Sequence, residues 1–267
     1  MSAADSNFTT ITHGSPYAAI SPSRDELSQK GNTVLITGSS SGIGFAIASS
    51  FAQANATKVI LTGRRQEALD EAIQKLSHGH PQTRFVSYPV DICDTASVEE
   101  LWSQLEEEKE IIHVLVLNAC KLQKAGDIMS LGYQEMWSSL VGNVGSHMLF
   151  AERFYNQKVR QEKQKLVRFS HTGVDARLIM FAQTLVNVSS AAIHRFDLAA
   201  HLPGYATVKN SGTLLLQQIA ADIGSDDMQI VSFHPGAIFT SAARDAGYDK
   251  TAMNWDDGEC LLVAVLC

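Results

Sequence analysis

No stretch of this 267-residue chain is long and apolar enough to span a bilayer. The apolar run Leu261 to Cys267 falls far short of the ~20 residues that a membrane helix needs. The first thirty residues lack a basic start followed by an apolar core, so no secretory signal is expected and the chain reads as cytoplasmic. Cysteine is scarce: Cys93, Cys120, Cys260 and Cys267 form no CxxC pair, which argues for reduced thiols rather than a disulfide scaffold. A dense Lys/Arg block is also missing. Basic residues number 21 against 28 acidic ones, so 21 − 28 gives −7, and a nucleic-acid partner is not expected. The mixed-charge stretch Lys158 to Lys165 reads as a helix end in water. His78 and His80 flank Gly79 without a ligand set nearby, so no metal site is expected there. Disorder is excluded by composition, since 45% of residues are hydrophobic and 18% charged, enough to build a core. The length suits one domain.

Apolar periodicity organises what is present. Residues 1–30 are rich in Ser, Ala and Thr without sustained periodicity and read as a mobile arm. A β-branched run, Thr33 to Thr37, leads through a Gly/Ser loop to Ile43, Ile47 and Phe51, spaced as one helix face. Lys58 to Thr62, Arg84 to Tyr88 and His113 to Leu117 read as further strands. Between them lie the helical stripes of Leu69, Ala72, Ile73 and Leu76, and of Val98, Leu101, Trp102 and Leu105. Met136 to Phe154 reads as helix, Leu185 to Ser189 as strand, Tyr205 to Ile223 as helix and Gln229 to Phe233 as strand. This alternation predicts a single α/β domain, a doubly wound, Rossmann-type parallel sheet covered by helices in three layers.

The loop Thr37-Gly38-Ser39-Ser40-Ser41-Gly42-Ile43-Gly44 stands where a strand hands over to a helix. There exposed N–H groups and the helix dipole attract phosphate, so a dinucleotide pyrophosphate would fit. The Gly-Lys-Ser/Thr ending of a nucleotide-hydrolysing P-loop is missing. The same residues also satisfy G-x-S-x-G, the nucleophile elbow of an α/β-hydrolase, with Ser40 as nucleophile. That fold needs an oxyanion-hole loop after an earlier strand, and none is expected before Thr33, so hydrolase stays a remote alternative.

Tyr205 and Lys209 are four residues apart on an expected helix and project from one face. A lysine ammonium beside a tyrosine favours the phenolate, which makes Tyr205 usable as an acid/base. Ser190, at a strand end, can position a carbonyl or hydroxyl; Ser189 is the alternative. After the second strand stands Gly63-Arg64-Arg65. Gly63 removes the carboxylate that would repel a 2′-phosphate, and the Arg64 fork can bind one, so NADP is preferred over NAD.

Together the glycine loop, Asn118, the set of Ser190, Tyr205 and Lys209, and Pro235-Gly236 resemble the short-chain dehydrogenase/reductase family from about Gly31 to Tyr248. The flanking sequence is similar to fungal members, some of which serve secondary metabolism. The resemblance implies that Gly38, Ser40, Gly42, Ile43 and Gly44 meet the cofactor, that Asp91 touches adenine, and that Asn118 supports the central strand and the ribose. It further implies that Asn143 takes part in a water-linked proton relay to the lysine, and that Ile238 and Thr240 meet the nicotinamide carboxamide. The expected activity is NADP-dependent hydride transfer on a small carbonyl or secondary alcohol, by a protein that can form homo-oligomers.

Several features depart from the pattern. The family's Asn-Asn-Ala-Gly becomes Leu117-Asn118-Ala119-Cys120, and Val208 replaces the small residue before the lysine. Asn143 and Ser190 are 190 − 143 = 47 residues apart, more than the family has, and residues 258–267 resemble no family ending, so a last strand is expected to be missing. The domain is thus read as 31–257, with an insertion at 167–183 and an atypical tail at 258–267. Removing Val167 to Gln183, 17 residues or 51 nucleotides, leaves 47 − 17 = 30. A valine codon and Ala182-Gln183 can supply splice boundaries, and Gly258-Glu259-Cys260 can encode a donor. The hypothesis is that both segments are translated intron; mature, translated messenger RNA retaining both would refute it. On that view a truncated, catalytically impaired dinucleotide-binding protein is the rival function.

Overall fold

A computed structural model describes residues 18–123, 126–157, 183–194, 202–224, 227–245 and 249–251. Six strands form one sheet: β1 (Thr33–Ile36), β2 (Lys58–Gly63), β3 (Arg84–Pro89), β4 (Val114–Leu117), β5 (Gln183–Val188) and β6 (Met228–Phe233). Their order is β3-β2-β1-β4-β5-β6, and every pairing is parallel. The helices are α1 (Gly42–Gln53), α2 (Gln66–Gly79), α3 (Thr95–Glu107), α4 (Ile128–Leu140), α5 (Ser146–Tyr155), α6 (Pro203–Asp222) and the short α7 (Ser241–Asp245). The doubly wound architecture read from the sequence is the one observed. Among the described residues, no helix is long and apolar enough to cross a membrane.

The side-chain period of two explains the layers. In β1, Val34 and Ile36 point to one face and Leu35 to the other, and all three are wholly buried. The first face carries Val59, Leu61, Val114 and Val116 under Ile47 and Phe51 of α1 and Leu69 and Leu76 of α2. The second carries Ile60, Leu115 and Leu185 under Val98 and Leu105 of α3, Phe150 and Phe154 of α5 and Leu216 of α6. Strands buried on both faces read as continuous apolar runs, which is why β1 and β4 show no alternation in sequence. Each such Leu, Ile or Phe contributes ~1.5–3 kcal/mol through burial.

Two local readings change. The helix expected from Met136 starts at Ile128, where Asp127 caps it by accepting from Ser130 N–H at 2.9 Å. It is not continuous: Gly132 adopts φ 73° and ψ 169°, and a π-helical turn at Val141–Gly145 joins α4 to α5. Within the expected arm, Leu27 is buried against Ala54, and Gln29 N–H donates to the Ala54 carbonyl at 2.7 Å. That end of the segment is therefore tied to the domain, whereas residues 1–17 lie outside the described residues. Of the expected insertion, Gln183 opens β5 opposite Met228, and the remainder lies outside the described residues, as does the tail 258–267.

Candidate active site

The loop between β1 and α1 is shaped by what its glycines leave out. Gly38 and Gly42 adopt φ +65° and +58°, a region that side chains disfavour. A Cβ on Gly44 would run into the Gly38 carbonyl and lie 2.6 Å from Asn118 Nδ2. Asn118 holds the loop by donating from Nδ2 to the Thr37 and Gly38 carbonyls, both at 2.9 Å. Thr37 returns the contact: its Oγ1 accepts from Asn118 N–H at 2.9 Å and Ala119 N–H at 3.0 Å. Ser39 Oγ donates to the Ile36 carbonyl at 2.9 Å and accepts from Thr62 N–H at 3.0 Å. Thr37 and Ser39 thus clamp β1 to β4 and β2, roles that their presence in the glycine motif does not reveal.

Helix α1 begins without a side-chain cap at Ser41 and without an acidic residue in its first turn. Its first N–H groups, with the dipole behind them, suit an anion. Ile43 is partly buried against the first core face. Ser40 lies beside β2, its Oγ 3.5 Å from where a Gly63 Cβ would stand. It makes no hydrogen bond to a histidine among the described residues, so the geometry of a hydrolase nucleophile is not formed.

Arg64 is exposed at the end of β2. Its positive charge reaches the Cys93 thiol, which burial and the neighbouring Asp91 push up. Asp91 Oδ1 accepts from Cys93 N–H at 2.9 Å, and Asp91 N–H donates to Ser97 Oγ at 3.1 Å. Arg64 and Asp91 therefore both lie in reach of Cys93. A Gly42 Cβ would stand 3.3 Å from Thr240 Cγ2, so the turn after β6 meets the loop. Thr240 Oγ1 accepts from Ala243 N–H at 3.1 Å, and Ile238 packs on the first core face. Uncapped helix N–H groups, close glycine backbone, and a cation without a competing carboxylate at Gly63 fit a phosphorylated dinucleotide.

Two of the expected catalytic residues, Lys209 and Ser190, lie at the carboxyl end of β5. Lys209 is buried, and its Nζ donates to the Val188 carbonyl at 2.8 Å. Ser190 follows two residues later, its Oγ accepting from Ala192 N–H at 3.2 Å. Ser189 is instead buried and paired with Thr213 Oγ1 at 2.8 Å, which leaves Ser190 as the serine able to meet a ligand. Tyr205 packs against Ala192, Leu202 and Ala206. No hydrogen bond joins Tyr205 to Ser190 or Lys209 among the described residues.

Asn143 occupies the π-turn, and its carbonyl lies 3.2 Å from where a Gly212 Cβ would stand, one turn along α6 from Lys209. The Lys209 charge also reaches two further groups. Burial raises the Cys120 thiol while Lys209 opposes that rise. Burial together with Lys209 brings His147 down to about 3. Away from this cluster, His80 Nε2 pairs with Ser49 Oγ at 2.9 Å. Among the described residues, no group of three His, Cys, Asp or Glu side chains is placed to hold a metal ion.

A model of the short chain dehydrogenase family matches residues 32–183. The short chain dehydrogenase/reductase AacuD of Aspergillus aculeatus is 25% identical over 249 residues, covering 93% of this chain and 78% of that protein. The short chain dehydrogenase pigC of Monascus ruber is 29% identical over 236 residues, covering 87% of this chain and 70% of that protein. Among solved structures, a short-chain dehydrogenase from Sphingobium yanoikuyae in complex with NADPH superposes with a TM-score of 0.67 at 20% identity. It covers 85% of this chain and 80% of its own. A 3-oxoacyl (acyl-carrier-protein) reductase from Agrobacterium tumefaciens C58 with NADP bound gives 0.66 at 22% identity, covering 82% and 75%. At these identities the structural likeness shows the fold.

Proposed function

We propose that this chain, which belongs to the short-chain dehydrogenase family, is an NADP-dependent oxidoreductase acting on a small carbonyl compound or secondary alcohol, with Tyr205 as its acid/base. Gly38, Gly42, Ile43 and Gly44 at the start of α1, with Ser40 beside them, hold the pyrophosphate. Asp91 meets the adenine, Arg64 the 2′-phosphate, Asn118 the ribose side, and Ile238 and Thr240 the nicotinamide end. When bound, the nicotinamide supplies hydride chemistry.

The chain's own residues manage the proton and the orientation. Ser190 Oγ–H donates to the carbonyl oxygen and fixes its direction. The Tyr205 hydroxyl gives that oxygen a proton as it becomes an alcohol, and takes one back in the reverse direction. Lys209, buried on the same helix face and held on the Val188 carbonyl, places its side-chain amino group at this end of the site. The observation that carries this reading is the buried Lys209 ammonium on the Val188 carbonyl, next to Ser190 and one turn from Tyr205. Arg64 without an acidic neighbour at Gly63 supports NADP, and the solved relatives that carry NADPH or NADP agree.

Tyr205→Phe tests the assignment. It removes the proton donor and little binding surface, so NADPH oxidation with a carbonyl panel should fall by at least ~10³-fold while NADPH affinity, read by tryptophan fluorescence, stays within about twofold. Turnover close to wild type in that variant would refute the role.

A further inference from the structure

Gln123 lies three residues beyond Cys120 and is only 5% exposed, yet among the described residues neither its Oε1 nor its Nε2 has a hydrogen-bond partner. A primary amide carries two N–H donors and an acceptor. Leaving all of them unmet away from water is unfavourable, and an apolar side chain of similar size would avoid that cost. The surroundings fix where the amide sits. A Cβ on Gly204 would stand 3.0 Å from Gln123 Cδ and Nε2 and 3.1 Å from Leu131 Cδ1. The amide is therefore wedged between the first turns of α6 and α4, and Gly204 directly precedes Tyr205. The backbone carrying it is held by Ala119 N–H on Thr37 and by Lys121 on Asn143. This is the carboxyl-end side of the sheet, where open α/β folds bind ligands.

The turn that carries Leu131 sits on a break. Leu131 ends the turn Ile128–Leu131, and Gly132 follows with φ 73° and ψ 169°, which separates that turn from the rest of α4. Among the described residues nothing lies within 4 Å of the place a Gly132 Cβ would take, so the break faces open space.

We propose that Gln123 determines substrate specificity: once the Ile128–Leu131 turn moves aside, its amide receives an oxygen function of the substrate other than the reacting carbonyl. The substrate class is then a ketone or aldehyde with a neighbouring hydroxyl or second carbonyl, rather than a hydrocarbon ketone. This rests on the oxidoreductase reading above, because Tyr205 sets where the reacting carbonyl lies. A site that hydrogen-bonds a substrate hydroxyl rejects the analogue lacking it, since its own polar group is left unpaired.

The experiment compares the full chain with Gln123→Leu, using NADPH with 2-hydroxycyclohexanone and cyclohexanone as probes. The wild type is expected to favour the hydroxyketone by roughly tenfold or more in kcat/KM, and the variant to bring the two within about threefold of each other. Without ligand, Gln123→Leu should melt at a higher temperature than the wild type, because an unmet amide has become an apolar side chain. A preference that survives in the variant, or a lower melting temperature, overturns the assignment. If the wild type oxidises NADPH with neither ketone, the oxidoreductase reading fails for these probes and binding decides the role of Gln123. In that case 2-hydroxycyclohexanone with NADPH must raise the melting temperature of the wild type and not of the variant; equal shifts overturn the proposal.

Discussion

Asn143 closes both backbone polar groups of Lys121: its Oδ1 accepts from Lys121 N–H at 2.8 Å, and its Nδ2 donates to the Lys121 carbonyl at 3.0 Å. The same Nδ2 reaches the Ser139 carbonyl at 2.9 Å. One side chain thus ties the stretch after β4 to the π-turn, and sets the Asn143 carbonyl against α6. In Asn143→Ala these backbone groups lose their partner in a largely buried place, which should cost about 2–4 kcal/mol. Urea unfolding measures the loss, and amide hydrogen exchange at Lys121 should accelerate in the folded variant. An unchanged exchange rate there would show that the pair does not hold the loop.

Gly44→Ala probes the phosphate loop. Its new methyl would meet the Gly38 carbonyl and Asn118 Nδ2, both part of the clamp that holds the loop shape, so backbone must move. Overpacking of this kind costs ~1–3 kcal/mol, and NADPH affinity should fall by tenfold or more because the uncapped N–H groups of α1 shift. Fluorescence titration with NADPH reads it, and wild-type affinity would exclude the loop as the cradle.

Arg64→Ala separates the two dinucleotides. Arg64 is exposed and NADH offers it no phosphate, so NADPH should weaken by roughly tenfold, about 1.4 kcal/mol, while NADH changes by less than about twofold. Equal losses for both cofactors would remove Arg64 from the 2′-phosphate site.

The sheet and its order were legible because they depend on local signals: apolar runs of strand length, helical stripes, and glycines at a strand-to-helix handover. The residues that bring the site together depend on contacts that no local pattern records. Thr37 meets Asn118 across 81 positions, and Gly212 on α6 makes room for a histidine on α5. The early start of α4 did have a signal, since Asp127 stands three residues before Ser130, which it caps. The π-turn around Asn143 left no mark on the helix expected from Met136 to Phe154, and the break at Gly132 falls before that expected helix begins. Gln123 looks like an ordinary loop polar residue until the fold buries it.

His147 gives the molecule a predictable acid sensitivity. It is 5% exposed on α5, its Nδ1 has no partner among the described residues, and a Gly212 Cβ would stand 2.9 Å from that atom. Burial, helped by the Lys209 charge, brings it from the usual 6.5 down to about 3, so it is neutral in the folded protein. The unfolded chain binds a proton at His147 below about pH 6.5, whereas the folded protein does not until about pH 3. The stabilising contribution is therefore full above pH 6.5 and drains away as pH falls toward 3, by roughly 3 kcal/mol at pH 4. Burial also lowers His80 and His113, which adds to the slope with the same sign. His147→Leu removes the largest part of it: between pH 6.5 and 4 its unfolding free energy, followed by urea titration, should decline much less than that of the wild type. Parallel declines would show that His147 is protonated in the folded protein and that its ring is not held neutral against α6.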